Sequence, residues 1–349
     1  MLYEKRGLQY PFGLEWSPPE AVPHEVSDGV FWLRMPLPFQ LDHINLWLLR
    51  DGEHWVIVDT GLYGDACEQA WEQVFSSLMR PEQVSRILVT HHHPDHMGLA
   101  SWLQEKCACQ VHISRPEFDF YYHLRTRDLD AYAVRAGQSM REAGVDEKTS
   151  LGYIRAFGKV NKAKTLSADD CEFLGDGAEL EIGGRHWRAV SGSGHSPYHL
   201  CWYCEELKLF IGGDQALPRI SSNVSVFVDS PDSNPLKSWL ASCEKLQREI
   251  APDTLVLPAH QEPFVGIGTR MQHLIDGHAK QLDGLRKSLQ EPKTALQACD
   301  KMFRVKLDDV DRLLAMGETQ SHINYLQALG EVKDTLGEDG MRRYKLVTV

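Results

Sequence analysis

The 349-residue chain is 42% hydrophobic and 25% charged, the composition of a globular protein long enough for a large core and a second domain or appendage. Its formal net charge of -12 excludes a surface built to attract polyphosphates or anionic membranes. No run reaches the length of a membrane span and residues 1–7 lack a signal-peptide apolar core, so the expected address is the cytoplasm.

In chain order, residues 1–28 are proline-rich and read as irregular. Strands are expected over 30–35, 44–49 and 55–59, the last after the Asp51-Gly52 turn signal and ending in Asp59-Thr60-Gly61. A helix follows around 66–79, then a strand over 85–89. That strand runs into Thr90-His91-His92-His93-Pro94-Asp95-His96, and the segment from Met97 to Leu103 reads as the first turns of a helix. At such a strand-to-helix turn, four metal-capable side chains can converge without disturbing the ladder. His91 and His93 share a face of an extended segment while His92 points away, and the turn can direct Asp95 and His96 to a second point nearby. The spacing suits two metal ions.

After a strand at 110–113, residues 115–165 read as a charged helical insertion, with Phe118, Phe120, Tyr121 and Tyr122 gathered early and Tyr132 later. It could serve as a lid or pack as a simple excursion. Short strands follow at 179–182, 186–190, 199–204 and 208–211, then a helix over 235–250 and a last core strand at 254–257. From Gly268 the chain is mainly helical to Leu329 and ends in strand-like pieces at 331–333 and 343–347. This order suits two sheets sandwiched between helices, an α/β architecture. The eight cysteines are read as free thiols, mostly core filler. Cys201 and Cys204 form a CxxC, but the odd offset within a strand separates their sulfurs.

Three further candidates stand just after strands: His195 in Gly192-Ser193-Gly194-His195-Ser196, Asp214 after Gly212-Gly213, and His260 after Pro258-Ala259. Each is weak alone; their order and placement give them weight beside the histidine turn. Together with Asp59 and the His91–His96 turn, the set resembles the five motifs of the metallo-β-lactamase superfamily of hydrolases, over about residues 28–265. The resemblance implies the αββα sandwich with metals at one edge between the sheets. It implies that His91, His93 and His195 hold one ion, that Asp95, His96 and His260 hold a second, and that Asp214 bridges them. Three imidazoles with an open fourth position is a catalytic rather than a structural zinc arrangement. Asp59 is expected to accept the far N–H of a ligand histidine and fix its tautomer. His92 and His199 are not expected to be ligands. Two Zn2+ per chain is the default, with Fe or Mn also compatible with imidazole and carboxylate.

The segment from Thr294 to the end is similar to a winged helix, and the combination resembles the beta-lactamase-like protein 2 branch of the superfamily. The expected domains are 1–265, with the insertion, and 266–349. Residues 318–329 carry no Lys or Arg, so packing or dimerisation is expected of this module rather than contact with nucleic acid. The expected activity is hydrolysis of a small-molecule ester, thioester or lactone by a water activated between the metals, with Asp95 and Asp59 in the machinery and Tyr198 a donor to the oxyanion. The Pro38-Phe39-Gln40 loop, Tyr198 and the aromatic insertion could form an apolar pocket for an acyl chain. The alternatives are an endoribonuclease or phosphodiesterase using the same metals, a mononuclear-iron sulfur dioxygenase, and a non-catalytic binder. Acidity opposes the first, and the intact set of ligands opposes the other two.

Overall fold

A computed structural model describes residues 3–157, 164–303 and 309–347. The chain opens with β1 (Tyr3–Lys5), β2 (Leu8–Tyr10), β3 (His24–Ser27), β4 (Val30–Pro36), β5 (His43–Asp51), β6 (His54–Val58), α1 (Asp65–Ser77) and β7 (Val84–Leu88). It continues through α2 (Pro94–Met97), α3 (Ala100–Cys107), β8 (Gln110–Ser114), α4 (Arg115–Thr126), α5 (Leu129–Glu142), α6 (Glu147–Phe157), β9 (Cys171–Leu174), β10 (Glu179–Ile182), β11 (Arg185–Gly192) and β12 (His199–Cys204). The remainder is β13 (Leu209–Gly213), α7 (Pro235–Glu249), β14 (Leu255–Pro258), β15 (Phe264–Val265), α8 (Ile267–Ser288), α9 (Ala295–Met302), α10 (Asp309–Ala328), β16 (Val332–Leu336) and β17 (Arg342–Leu346). These elements form two compact units: Met1–Arg125, Asn161–Ser222 and Glu244–Met271; and Thr126–Val160, Asn223–Cys243 and Gln272–Val349.

The first unit holds a seven-stranded sheet in the order β3-β4-β5-β6-β7-β8-β9 and an eight-stranded sheet in the order β1-β2-β15-β14-β13-β12-β11-β10. Alternate residues of β4 explain the layering. Val30 and Trp32 face the second sheet, where they pack with Trp187, Leu200 and Trp202. Phe31, Leu33 and Met35 face the other way, onto Trp71, Val74 and Phe75 of α1 and Leu103 of α3. With both faces covered, such strands read as continuous apolar runs rather than as alternation. The layered α/β sandwich matches the expectation from sequence.

Three details differ from it. The segment 1–28 is not wholly irregular, because it contributes β1, β2 and β3 to the sheet edges. These strands are three or four residues long, too short to show periodicity, and exist by pairing with neighbours. β9 and β15 escape a sequence reading for the same reason. The helix after the histidine turn begins earlier, at Pro94, and breaks before α3. A Cβ on Gly98, at the break, would lie 2.2 Å from the Pro94 carbonyl oxygen and 2.5 Å from the Tyr63 nitrogen, so the bare glycine is what lets the turn seat against the 61–63 loop.

The expected helical insertion is helical where described, as α4, α5 and α6, although residues 158–163 lie outside the described ones. In the first unit, Phe118 of α4 packs into the core under α1 and α3. In the second unit, Met140 and Val145 pack with Cys299 of α9 and Leu313, Ala315 and Met316 of α10. Thr294 caps α9 reciprocally with Gln297, and β16 pairs with β17 as a closing hairpin. Residues 304–308, within the span expected to be mainly helical, lie outside the described ones. All eight cysteines are buried thiols. No helix among the described residues is long and apolar enough to cross a membrane.

Candidate metal centre

Every predicted ligand emerges from the end of a strand. The histidine turn follows β7, His195 follows β11, Asp214 follows β13 and His260 follows β14. β6 and β7 run parallel in one sheet, and β13 and β14 run parallel in the other, so each pair delivers its loops to a common edge. Main-chain hydrogen bonds stitch the two edges together. Leu200 N–H donates to the Thr90 carbonyl at 2.9 Å, and Asn45 N–H donates to the Ala259 carbonyl at 2.6 Å. The buried Asn45 side chain adds three bonds: it accepts from Trp32 Nε1 at 2.8 Å and donates to the carbonyls of Pro258 at 3.1 Å and Gln261 at 2.7 Å.

Two groups of ligand atoms result, His91/His93/His195/Asp214 and Asp95/His96/His260. His91 Nε2 lies 2.9 Å from His93 Nδ1. Asp214 spans both groups: Oδ2 is 3.2 Å from His195 Nε2, while Oδ1 is 3.4 Å from His260 Nε2 and 3.5 Å from His96 Nε2. Asp95 Oδ2 completes the second group, 3.3 Å from His260 Nε2 and 3.7 Å from His96 Nε2. Four donors placed tetrahedrally around an ion at Zn–N distances stand roughly 3.3 Å apart, and these separations fit the edges of such a polyhedron. Among the described residues, the buried atoms His96 Nε2 and Asp214 Oδ1 find no hydrogen-bond partner. Buried polar atoms are rarely left so, and a shared cation satisfies both. The donor set, imidazole with carboxylate, fits a divalent transition ion.

The electrostatics agree. Burial and the surrounding imidazoles push His91 and His93 well below the ordinary histidine range, leaving neutral rings with a lone pair to donate. Burial opposes charge on His96 and His260 too, but the carboxylates of Asp95 and Asp214 more than reverse it, and both stand above the ordinary range. Burial would raise the Asp214 carboxyl, yet the charges of His96 and His260 hold it well down. Protons on His96 and His260 thus stand where a cation would, and a bound ion displaces them.

A second layer fixes the first. Asp59 Oδ2 sits 2.7 Å from His96 Nδ1, while its Oδ1 accepts the Thr90 N–H at 2.8 Å. Thr90 Oγ1 donates to Asp59 Oδ2 at 2.9 Å and lies 3.1 Å from His91 Nδ1. His260 Nδ1 is 2.9 Å from the His43 carbonyl oxygen, which sets that ring's tautomer. Asp59 (φ 63°) and Gln261 (φ 69°), each bordering the site, hold left-handed backbone that non-glycine residues seldom adopt.

His92 is turned out of the cluster. Its Nδ1 lies 2.5 Å from Glu117 Oε2, the same oxygen accepts the His92 main-chain N–H at 3.0 Å, and Glu117 Oε1 accepts the Tyr198 N–H at 2.6 Å. One fully buried carboxylate therefore clamps the histidine turn to the loop carrying His195. His199, pushed down to about 3 by burial, accepts the Asp214 N–H on Nε2 at 3.2 Å. A Cβ on Gly213 (φ 49°) would lie 2.5 Å from that nitrogen, so glycine is required there. Asp95 reaches the cluster, whereas the Tyr198 hydroxyl has a partner on another loop. The Tyr198 ring packs in the inter-sheet core and the hydroxyl accepts the Asp176 N–H at 3.3 Å. The sequence reading missed His43, Asn45, Thr90 and Glu117. Only Thr90, next to the histidines, carried any local signal.

Comparison with known proteins agrees with this geometry. The profile described as "Metallo-beta-lactamase superfamily" matches residues 40–260, and "Metallo-beta-lactamase-like, C-terminal domain" matches residues 282–347. The chain is 25% identical over 313 residues to "Probable metallo-hydrolase YqjP" of Bacillus subtilis (strain 168), covering 86% of this chain and 93% of that one. It is 21% identical over 268 residues to "Acyl-coenzyme A thioesterase MBLAC2" of Bos taurus, covering 72% and 83%. Among solved structures, a beta-lactamase domain protein from Burkholderia ambifaria superposes with a TM-score of 0.86 at 38% identity, over 97% of this chain and 98% of that one. The chain belongs to the metallo-beta-lactamase superfamily.

Proposed function

We propose that the chain is a metal-dependent hydrolase that cleaves a small-molecule acyl ester bond, with thioesters as the first candidate class ahead of simple esters and lactones. The observation that carries this reading is Asp214, whose two oxygens face the two histidine groups at 3.2 and 3.4 Å. When bound, a pair of ions, by default zinc, lowers the pKa of water and polarises a carbonyl. His91, His93 and His195 would hold one ion and Asp95, His96 and His260 the other, with the Asp214 carboxylate facing both groups. Asp59 and the His43 carbonyl keep His96 and His260 in the tautomers that present Nε2 to the site. Asp95, with 22% of its side chain exposed, is the carboxylate placed to take a proton on the oxygen not facing His260. The thioester preference draws on the name of the Bos taurus relative and on Phe39, which is 61% exposed in the loop leading to His43 and offers an apolar rim to an acyl chain.

The same reading assigns the second unit to packing or self-association rather than nucleic-acid contact. Residues 318–329 carry no Lys or Arg, and Arg342 and Arg343 of the hairpin are paired with Glu142, Asp334 and Asp339. The test is turnover of acyl-CoA, acyl-glutathione and lactone panels by zinc-loaded protein. Activity on a thioester, abolished by His93→Ala, supports the proposal. Absence of turnover on every acyl substrate, with two ions bound, defeats it.

A further inference from the structure

The second unit carries another cluster of metal-capable side chains. His278 on α8 and Glu318 and His322 on α10 are all buried, and one ligand atom from each lies within 4.8 Å of the other two. Glu318 and His322 are four residues apart, so the helix stacks them on one face. His322 Nδ1 donates to the Glu318 carbonyl at 2.8 Å, which places the ring proton there and leaves Nε2 as a lone pair directed away from its own helix. That lone pair lies 3.1 Å from His278 Nδ1, close to the edge of a tetrahedral polyhedron. The Glu318 carboxylate is buried with no Lys or Arg paired to it among the described residues. Its neighbours are amide groups at long range, Asn223 Nδ2 at 3.4 Å and Gln281 Nε2 at 3.5 Å. A buried carboxylate needs compensating charge, and a divalent ion held with two imidazoles supplies it.

We propose that His278, Glu318 and His322 form a second metal site, separate from the centre at Asp214, that takes one Zn2+ or a similar imidazole-tolerant divalent ion. A two-histidine, one-carboxylate set leaves a fourth position, which water or the Gln281 amide, turned to present its oxygen, can fill. The ion links α8 to α10 inside the second unit, so its role is a structural staple rather than chemistry on a substrate.

Metal counting tests this on the full chain, stripped with chelator, reloaded with Zn2+ alone and dialysed. Wild-type protein is expected to hold three zinc ions per chain, and Glu318→Gln or His278→Ala to hold two with thioester turnover unchanged. A His93→Ala/Asp214→Asn variant is expected to hold fewer ions than wild type and to lose one more on adding Glu318→Gln. Zinc is further expected to raise the melting temperature of the His93→Ala/Asp214→Asn variant by more than that of the triple variant. Glu318→Gln keeps side-chain size, so loss of zinc with an unchanged metal-free melting temperature is not misfolding. A wild-type count equal to that of Glu318→Gln overturns the site and leaves a histidine–histidine hydrogen bond beside a protonated glutamate. Failure of the dinuclear reading looks different: the wild type then holds fewer ions than three, yet Glu318→Gln still removes one.

Discussion

Glu117 shows how much of the site depends on residues that touch no ligand atom of the metal centre. Burial alone would raise its carboxyl, but the His92 imidazole and the hydrogen bonds it receives bring it below the ordinary value of 4.5. A depressed carboxyl stabilises the fold above that ordinary value and loses its contribution as pH falls through the folded value. Glu117→Gln sets an amide NH2 against main-chain donors and should cost about 1–3 kcal/mol in urea unfolding at neutral pH. It should also flatten the loss of stability on the acid side, and an unchanged acid slope would show that the clamp is not ionic. Asp59→Asn is a gentler lesion. It keeps the shape but frees the His96 tautomer, and zinc affinity measured by competition with a chromophoric chelator should fall roughly 10–100-fold.

At the scale of elements, the site depends on how closely a turn can approach its neighbours. Gly98→Ala drives a Cβ into the Pro94 carbonyl and the 61–63 loop, both main chain that cannot rotate away. A loss of about 1–3 kcal/mol, typical of overpacking, should appear in thermal melts together with reduced zinc content. Asn45→Leu tests the stitch between the two sheet edges. It strips a partner from Trp32 Nε1 and from the carbonyls of Pro258 and Gln261, each worth about 1–3 kcal/mol if left buried and unpaired. His260 lies between those two carbonyls in sequence, so zinc binding should weaken along with stability, and retention of full zinc content would argue that the edge holds its shape without Asn45.

For the whole molecule, a bound metal should be linked to the stability of the fold. The centre gathers Asp95, Asp214 and five histidines from both sheets of the first unit, so a cation there ties the sheets together. Chelator treatment should therefore lower the melting temperature as well as abolish turnover, and added zinc should restore both. The gap between metal-loaded and chelated protein should narrow as pH falls, because protons compete with metal for His96 and His260, the two imidazoles whose affinity for protons is raised. A melting curve indifferent to metal across that range would mean the hydrogen bonds around Asp59 and His43 hold the edge together unaided.

The sequence by itself determined the candidate ligands, because His91, His93, Asp95 and His96 are neighbours in the chain and His195, Asp214 and His260 each follow an apolar run. It determined the layered architecture for the same reason: runs long enough to bury both faces of a strand are visible one at a time. Tertiary structure alone decided what holds those ligands. Glu117 reads as an ordinary first-turn acid of a helix, and only the fold carries it to His92 and Tyr198, the latter 81 residues away. The bonds from His43 and Asn45 to the His260 loop cross more than 200 residues. Tyr198 makes the converse point, since proximity in sequence to His195 says nothing about which partner its hydroxyl finds, here the Asp176 N–H. Local pattern names the chemistry of a side chain, but its partner is chosen by packing, which no short stretch of chain contains.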